Sequence, residues 1–395
     1  MIDLVRREFL GNIALLSGLA LSGCTVPVGG AAARYNSFRP GELWLDNNDK
    51  PIQAHGGSII AISDALGDTF YWYGENKEFT DGKNGIESWG IRFYSSRDLY
   101  NWTDLGALIP PDQSNPDSPL SPKIFPERPH ILFNPNTGKF VCWIKIRGRG
   151  PQFRTVLVAD RITGPYQLVH ADIRPAGMPA GDFDLVQDEQ SGKAYMYFEH
   201  EHKEVVCVEL TADYLGYTDN FTRHLPGTPP NTREGIACFQ RKGKLYLTSS
   251  GMTGYFPNPS SVAVANGYHG PFTDLGPLYR NDRTETSFGS QISDIFRVPG
   301  KDLYIALADR WLPDLWSDPQ FQSGEMSRLV RSGIAKSTAS PRQPLTPEER
   351  KVIRYAAALT KVDTSKSRYV WLPITFNSDQ PVIEWRDEWT LNQFS

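Results

Sequence analysis

A short pattern of hydrophobic and polar residues recurs five times along the chain: a polar turn with glycine, followed by alternating aromatic and aliphatic residues. Each copy predicts a β-hairpin whose second strand alternates between buried and exposed faces. The copies begin at Gly67, Gly138, Gly192, Gly243 and Gly300. Copies roughly 50 to 70 residues apart are what four-stranded blades around a central axis would give. The pattern predicts an all-β, five-bladed β-propeller, because a β-sandwich does not give hairpin signatures at so long a period.

A second pattern supports the same period. The sequence Asn-Trp-Thr-Asp-Leu-Gly at 101–106 is echoed by Pro-Phe-Thr-Asp-Leu-Gly at 271–276. Gly-Pro followed by an aromatic residue also occurs twice, at 164–166 and 270–272. We therefore assign residues 41–395 to one propeller domain.

One segment, about 314–366, breaks the pattern. In it Thr346 precedes Pro347, and Glu349 follows three residues after the threonine. A threonine cap, a proline at the first helical position and a glutamate at the third form a capping box. We expect a helix from about Pro347 to Leu359, within an insertion in the last blade that overhangs one mouth of the axial channel.

Composition narrows the class of partner. The 395 residues are 39% hydrophobic and 22% charged, which suits a large globular fold. The 41 basic and 45 acidic residues leave a formal charge of −4, without a like-charge run that would attract nucleic acid. Aromatic residues make up 12% of the chain and can stack against sugar faces. We expect a monomer whose partner is a neutral polysaccharide or oligosaccharide.

The amino terminus is typical of an export signal. Arg6 and Arg7 precede the apolar run 13–21, and the run ends shortly before Cys24 in a lipobox-like Leu-Ser-Gly-Cys. The alternative is an ordinary cleaved signal with a chance cysteine. We interpret residues 1–24 as a twin-arginine lipoprotein signal peptide with Cys24 as its lipidation site, and residues 25–40 as a tether. The protein would then be exported and held at a membrane only through its lipid.

Three further cysteines, Cys142, Cys207 and Cys238, lie in strand-like apolar runs. Neither a Cys-x-x-Cys pair nor zinc-type spacing is present in the sequence. We interpret them as buried thiols, predict no structural zinc and no cofactor, and assign no metal ligands. Whether an ion sits in the axial channel is left open by the sequence.

Three carboxylates precede repeated hairpins by similar distances: Glu127, Asp182 and Glu234. Gln291 holds the corresponding place before the fifth hairpin. Propellers gather such side chains into one funnel, and hydrolysis of a glycosidic bond needs a proton donor and a group that activates water or attacks carbon. The alternative is that Glu127 and Glu234 only pair with the arginines beside them in the chain, at positions 128 and 233.

Several motifs together resemble the exo-β-1,3-galactanase branch of glycoside hydrolase family 43, and they occur in order between about residues 41 and 389. They are Trp-Leu-Asp at 44–46, His-Gly-Gly-Ser-Ile-Ile at 55–60, Tyr-Gly-Glu-Asn-Lys at 73–77, Glu-Arg-Pro at 127–129, Ser-Ser-Gly-Met-Thr-Gly at 249–254, Phe-Gly-Ser-Gln at 288–291, Ala-Asp-Arg-Trp at 308–311 and Arg-Tyr-Val-Trp-Leu-Pro at 368–373.

The resemblance implies a five-bladed propeller and an inverting exo-hydrolase. Glu234 takes the general acid's place, and Asp182 that of the carboxylate that orients the acid and raises its pKa. The family's usual base position falls at 55–57, which has no carboxylate. The galactanase branch also lacks it, and there the equivalent of Gln291 is proposed to position or activate water, helped by the equivalent of Glu127. Because a neutral amide is a poor base, this role for Gln291 requires an unusual tautomer or a water relay. If Gln291 instead serves only as a hydrogen-bonding residue of the core, Glu127 is the natural substitute base.

The same resemblance suggests sugar contacts. Glu75 and Asn76 could hold galactose hydroxyls, and His55 could also bind substrate. Tyr255 or Trp311 could supply a stacking platform, although both rings could equally be rim packing.

Two departures from the family pattern lie beside the expected pocket: Met252 and Tyr255 replace cysteine and tryptophan, and the link at 313–367 is longer. We expect an exo-enzyme that releases galactose from β-1,3-galactan. The alternatives are an α-L-arabinofuranosidase or β-xylosidase of the same family, and a non-catalytic glycan-binding propeller, which the missing base would permit.

Overall fold

The computed structural model describes residues 2–3, 34–228, 231, 233–359 and 362–395. Apart from Ile2–Asp3, the predicted signal peptide and its lipidation site Cys24 lie outside these residues, so export and lipidation stay predictions. Within the described ranges, none of the helices has the length and apolar character needed to cross a membrane.

Five antiparallel sheets form the body of the molecule, which confirms the predicted five-bladed β-propeller. The first blade contains β2 (His55–Asp64), β3 (Gly67–Glu75), β4 (Ile91–Ser96) and β5 (Thr103–Ile109), with the short β1 (Ile2–Asp3) paired parallel to β2. The second contains β6 (Phe125–Asn134), β7 (Lys139–Arg147), β8 (Phe153–Ala159) and β9 (Gln167–Ile173). The third contains β10 (Phe183–Gln187), β11 (Ala194–His200), β12 (Glu204–Leu210) and β13 (Tyr217–His224).

The fourth blade contains β14 (Glu234–Arg241), β15 (Lys244–Ser250), β16 (Ser260–Ala265) and β17 (Thr273–Pro277). The fifth contains β18 (Gln291–Arg297), β19 (Tyr304–Arg310), β21 (Leu372–Asn377) and β22 (Gln380–Ile383), and β20 (Arg368–Tyr369) extends the pairing of β19. The strands β2, β6, β10, β14 and β18 contact one another in a closed ring. This ring surrounds the axis.

The repeated glycine pattern marks the second strand of every blade, namely β3, β7, β11, β15 and β19. The expectation that these strands alternate between buried and exposed faces was wrong. In β7, for example, every residue from Phe140 to Ile146 is buried. Both faces are covered because each blade packs between two neighbours, and a separate apolar cluster fills each of the five interfaces.

The chain ends close the ring of blades. Phe38 and Trp389 exchange two backbone hydrogen bonds, of 2.8 and 3.0 Å, and their rings stack at 4.3 Å. The predicted tether therefore extended too far, because the residues around Phe38 belong to the propeller core. This contact could not be predicted from the sequence, since a single aromatic residue in a polar stretch does not indicate a place in the core.

The three cysteines Cys142, Cys207 and Cys238 are free and buried, as expected.

The predicted insertion lies between β19 and β20. It holds α1 (Pro319–Gln322), α2 (Glu325–Thr338) and α3 (Pro347–Ala358), with 3₁₀ turns at Pro313–Ser317 and Thr364–Lys366. The capping box at the start of α3 is present as predicted. The helices bury an apolar cluster against Phe256, which lies in the loop between β15 and β16.

Candidate active site

At one end of the axis, each blade contributes a pair of residues from its two inner strands. One residue lies within three residues of the start of the innermost strand, and the other near the end of the second strand. The pairs are His55 with Glu75, Glu127 with Lys145, Asp182 with Glu199, Glu234 with Ser250, and Gln291 with Asp309. The antiparallel register thus brings polar side chains from all five blades to one mouth of the channel.

A cavity of about 300 Å³ opens at this mouth, at the lower end of the usual range for small-molecule pockets. Seven of the nine predicted catalytic and substrate-binding residues line it: Glu75, Glu127, Asp182, Glu234, Tyr255, Gln291 and Trp311. The sequence reasoning therefore brought together side chains as far apart in the chain as Glu75 and Trp311.

Glu234 has the chemistry of a carboxylic acid that is protonated near neutral pH. Burial, followed by the charges of Asp182 and Glu199, raises the pKa of Glu234 to about 8, although Lys145 and Arg128 oppose the shift. The residue after Glu234 is Gly235, and its lack of a side chain leaves room for Gln291 and Ser250 to pack closely there. Its φ is +57°, and a β-carbon there would lie 3.0 Å from both Gln291 Cγ and Ser250 Oγ.

Asp182 is an ionised neighbour of Glu234. Its Oδ1 accepts from Lys145 Nζ at 2.7 Å, and its Oδ2 lies 3.0 Å from Arg128 Nε. Burial works against ionisation, but these two cations hold the pKa of Asp182 well below its ordinary value. Asp182 Oδ2 also accepts from the backbone N–H of Gly235 at 2.9 Å. This bond fixes the position of the residue that follows Glu234.

Glu127 is held by cations from the next strand. Its oxygens lie 2.8 Å from Lys145 Nζ and 2.6 Å from Arg147 Nη2. Burial alone would raise the pKa of Glu127, but these charges outweigh it and lower the pKa to about 2. Glu127 does not pair with Arg128, the arginine beside it in the chain. Arg128 pairs with Asp182 instead.

Gln291 is fixed through both ends of its amide. Its Oε1 accepts from Arg128 Nη2 at 2.8 Å, and its Nε2 donates to Ser250 Oγ at 3.1 Å. A carbonyl oxygen has two lone pairs, so Oε1 keeps the capacity to accept one more hydrogen bond. The side chain can therefore orient a water molecule by accepting a hydrogen bond from it. As a neutral amide, however, it is a poor base and does not take up the water's proton.

The pocket is also lined by Glu75, which pairs with Lys77, and by the aromatic rings of Tyr255 and Trp311. Glu75 lies 2.9 Å from the buried ammonium of Lys77 and accepts from the backbone N–H of Arg128 at 3.2 Å. Tyr255 and Trp311 have ring centroids 5.5 Å apart, at 56° to each other. Both rings are partly buried and line the cavity.

His55 and Asn76 do not line the cavity. The ring of His55 is fully buried, with Nδ1 2.9 Å from Asp309 and Nε2 3.2 Å from Gln53, and it packs against Trp311. The side chain of Asn76 accepts from the backbone N–H of Glu78 and so closes a turn. This placement does not support direct substrate contact by His55 or Asn76, because the side chain of each already makes hydrogen bonds within the fold.

Further along the inner strands, one group of side chains could hold a metal ion. His130, Asp184 and Asp294 offer ligand atoms that all lie within 4.8 Å of one another. Burial, then the charge of Asp294, raises the pKa of Asp184 well above its ordinary value, and burial raises that of Asp294 to about 6. Two buried carboxyl groups that share a proton account for the cluster equally well without a cation. The assignment of no metal ligands stays a prediction.

Apart from Glu75, sequence reasoning missed the cavity residues contributed by the second strands, which are Lys145, Arg147 and Glu199. It also missed Arg128 as a structural cation, Gln152 and His202, which line the same cavity. A signal for the strand-end residues was available. Glu75, Lys145, Glu199, Ser250 and Asp309 all follow the glycine of the repeated pattern by seven to nine residues.

The family model described as glycosyl hydrolases family 43 matches residues 61–319, which is well over half of the chain. The chain belongs to glycosyl hydrolases family 43. No curated protein sequence matches it.

Several solved family 43 structures share the fold. One is a β-1,3-galactosidase, with 28% identity and a TM-score of 0.71 over 91% of this chain; the chain spans 65% of that protein. Another is the exo-β-1,3-galactanase of Phanerochaete chrysosporium with β-1,3-galactotriose, with 23% identity and a TM-score of 0.69 over 90% of this chain and 69% of that one. A third is the exo-β-1,3-galactanase of Clostridium thermocellum, with 23% identity and a TM-score of 0.66 over 89% and 66%.

Proposed function

We propose that this family 43 hydrolase is an inverting, exo-acting enzyme that releases galactose from β-1,3-galactan, with Glu234 as its general acid. The observation that carries the proposal is the contrast between Glu234 and its neighbours. Among the described residues, no Lys or Arg forms an ion pair with Glu234, whereas Glu75, Glu127 and Asp182 each lie within 3 Å of a cationic nitrogen. One carboxyl group with a raised pKa thus lies beside two that are held ionised, Glu127 and Asp182, which is how a site separates its acid from its other carboxylates.

In the proposed reaction, Glu234 donates its proton to the oxygen of the leaving sugar as the glycosidic bond breaks. A water molecule attacks the anomeric carbon from the opposite face, and inversion follows from this single displacement. Gln291 orients the water through Oε1. Glu127, although its pKa of about 2 makes it a weak base, is the ionised acceptor for the water's proton. Glu75 would hold hydroxyls of the bound sugar, with Tyr255 and Trp311 as its stacking surface.

The choice of galactose rests on the solved structures named as β-1,3-galactosidases and galactanases, together with the motifs shared with that branch. Without the branch, the same acid and pocket would suit a pentoside. The second candidate is therefore an arabinofuranosidase or xylosidase, because Tyr255, which lines the pocket, departs from the galactanase pattern.

A substrate panel tests the proposal. The protein is incubated with β-1,3-galactan, an aryl α-L-arabinofuranoside and an aryl β-D-xyloside, and released sugars are measured by chromatography. We expect free galactose from the galactan, and a Glu234→Gln variant whose kcat is lower by a factor of about 10² to 10⁴ while it still binds the polymer. Turnover of a pentoside alone would replace the proposed substrate. Binding without turnover by the unaltered protein would favour a glycan-binding propeller.

A further inference from the structure

We propose that the outer face of helix α3 binds anionic substituents, carboxylate or sulfate groups, on the polysaccharide whose chain end is hydrolysed in the pocket. The inference rests on the proposed function and narrows its substrate to a galactan that carries acidic groups. Four exposed residues of α3 form this surface, which we call the α3 patch: Arg350, Lys351, Arg354 and Tyr355.

The helix brings the four side chains of the α3 patch together. They occupy positions i, i+1, i+4 and i+5, so they are neighbours on one side of the helix, and β-carbons four residues apart lie about 5 to 6 Å from each other. The opposite side of α3 buries Glu349 and Val352, and Val352 belongs to the apolar cluster of the insertion. The helix therefore presents the α3 patch to solvent.

The cations of the α3 patch lack the carboxylate partners that other cations of the insertion have. Four of those others each form an ion pair with a glutamate or an aspartate: Arg328, Arg331, Lys336 and Lys366. Among the described residues, no Asp or Glu forms an ion pair with Arg350, Lys351 or Arg354. Three positive charges thus lie side by side without a neutralising partner.

Both arginines of the α3 patch keep hydrogen-bond donors for a ligand. Arg350 Nη1 donates to the carbonyl oxygen of Leu345, and Arg354 Nε donates to that of Arg350 at 3.2 Å. A guanidinium has five N–H donors in a planar fork that matches two oxygens of a carboxylate or sulfate group. One bond to the backbone therefore leaves most of the donors of each arginine for an anionic group.

Tyr355 adds an aromatic ring to these charges. The residue is 44% exposed, and an exposed ring offers a flat apolar face to a sugar. One carboxylate acts on it: burial, then the charge of Asp318, raises the pKa of Tyr355. Asp318 is itself held as the cap of α1, where it accepts two backbone N–H groups. Cations beside an exposed ring fit an acidic sugar, although the net charge of the whole chain predicts a neutral partner.

The position of the insertion favours a polysaccharide over a lipid bilayer as the partner. The insertion follows β19, which ends at the mouth of the pocket, and its helices pack on Phe256 in the loop that lines the cavity. The predicted tether joins the propeller at the other end. There the N–H groups of Arg34 and Tyr35 both donate to Asn101 Oδ1 at 2.9 Å, in the turn after β4, which starts opposite Glu75 and runs away from the mouth. A bilayer that held the predicted lipid would lie at that end, away from the pocket.

The test measures the binding of two polymers by isothermal titration calorimetry. One is β-1,3-galactan, and the other is the same galactan with part of its C6 hydroxyl groups oxidised to carboxylates. Every protein carries Glu234→Gln, so that bound polymer is not cleaved. Titrations at about 0.02 M and about 0.3 M salt identify the binding that depends on charge, because salt screens exposed charges.

Two variants remove the same number of positive charges from different surfaces. The patch variant carries three substitutions by glutamine, which is a good helix former: Arg350→Gln, Lys351→Gln and Arg354→Gln. The control variant removes three exposed cations from the end of the propeller opposite the pocket: Arg161→Gln, Lys242→Gln and Arg297→Gln.

At low salt we expect the Glu234→Gln protein to bind oxidised galactan about 10-fold more tightly than neutral galactan, and high salt to remove this gain. The patch variant should lose the gain, while its dissociation constant for neutral galactan, which also reports correct folding, changes by less than about 2-fold. The control variant should keep the gain. A gain that the patch variant keeps, or that the control variant loses equally, would overturn the proposal.

A bilayer as the partner gives a different result. The patch variant would then lose binding to phosphatidylglycerol vesicles and bind oxidised galactan as before, which would also overturn the proposal. Failure of the proposed function is distinguishable, because none of the proteins would then bind neutral galactan. In that case a loss of affinity for oxidised galactan in the patch variant alone would still support the α3 patch.

Discussion

At the scale of single residues, the pocket is a set of carboxyl groups whose protonation is decided by cations from neighbouring strands. Lys145 shows how a cation does this, because its ammonium nitrogen lies within 2.8 Å of oxygens of both Glu127 and Asp182. One cation thus helps to keep two carboxylates ionised, and the charge of one of them, Asp182, acts on Glu234. Burial, followed by the negative charges of Asp182 and Glu199, raises the pKa of Glu234 and so keeps the acid protonated.

The Asp182→Asn variant tests this account through the pH dependence of kcat/KM. Activity requires protonated Glu234, so it should fall as pH rises through about 8. The negative charge of Asp182 opposes ionisation of Glu234. Its removal, with Lys145 and Arg128 left in excess, should lower the pKa of Glu234 and move the alkaline limb to lower pH by about one pH unit. Asp274→Asn, which removes a carboxylate paired with Arg233 away from the pocket, is the control. An alkaline limb that does not move would show that Asp182 acts only as a hydrogen-bond acceptor.

The acidic half of this pocket could be predicted from the sequence, and the basic half could not. Glu127, Asp182 and Glu234 were found because they precede a repeated pattern. Lys145 was missed because it looks like the ordinary polar end of a strand. Only the pairing of β6 with β7 brings it beside Glu127, and only the packing of the second blade against the third brings it beside Asp182.

At the scale of elements, the insertion in the fifth blade supports a wall of the pocket. Its helices pack on Phe256, the residue after Tyr255 in the loop that lines the cavity. Helix α3 was predictable because its cap is encoded in side chains. Helix α2 was not predicted, since it begins after Gly324, which offers no side-chain cap.

The cap of α3 should be measurable on its own. Thr346 accepts from the N–H of Glu349, and its removal from an N-cap typically costs about 1 kcal/mol. In Thr346→Ala we expect amide hydrogen exchange in residues 347–358 to rise about fivefold, with the blades unchanged, when followed by mass spectrometry. Thr137→Ala, at an exposed turn, should leave exchange in this helix unaltered. The cap would not hold the helix if exchange in residues 347–358 rose as much in Thr137→Ala as in Thr346→Ala. The same conclusion would follow if exchange did not rise in Thr346→Ala.

At the scale of the whole molecule, the site exists only when the ring of blades is closed. The residues around the pocket come from every blade, and the closure between Phe38 and Trp389 keeps the first and fifth blades together. The number of blades was readable from the repeat. The closing contact was not, because its two halves lie at opposite ends of the chain and neither has a strand pattern of its own.

The most direct test of the central claim is proton NMR of β-1,3-galactan during the first minutes of hydrolysis, before the anomers of the released sugar equilibrate. We expect α-galactose as the first-formed product, because a single displacement at a β-linked anomeric carbon inverts it. β-Galactose as the first product would contradict the mechanism, and the absence of galactose would contradict the substrate.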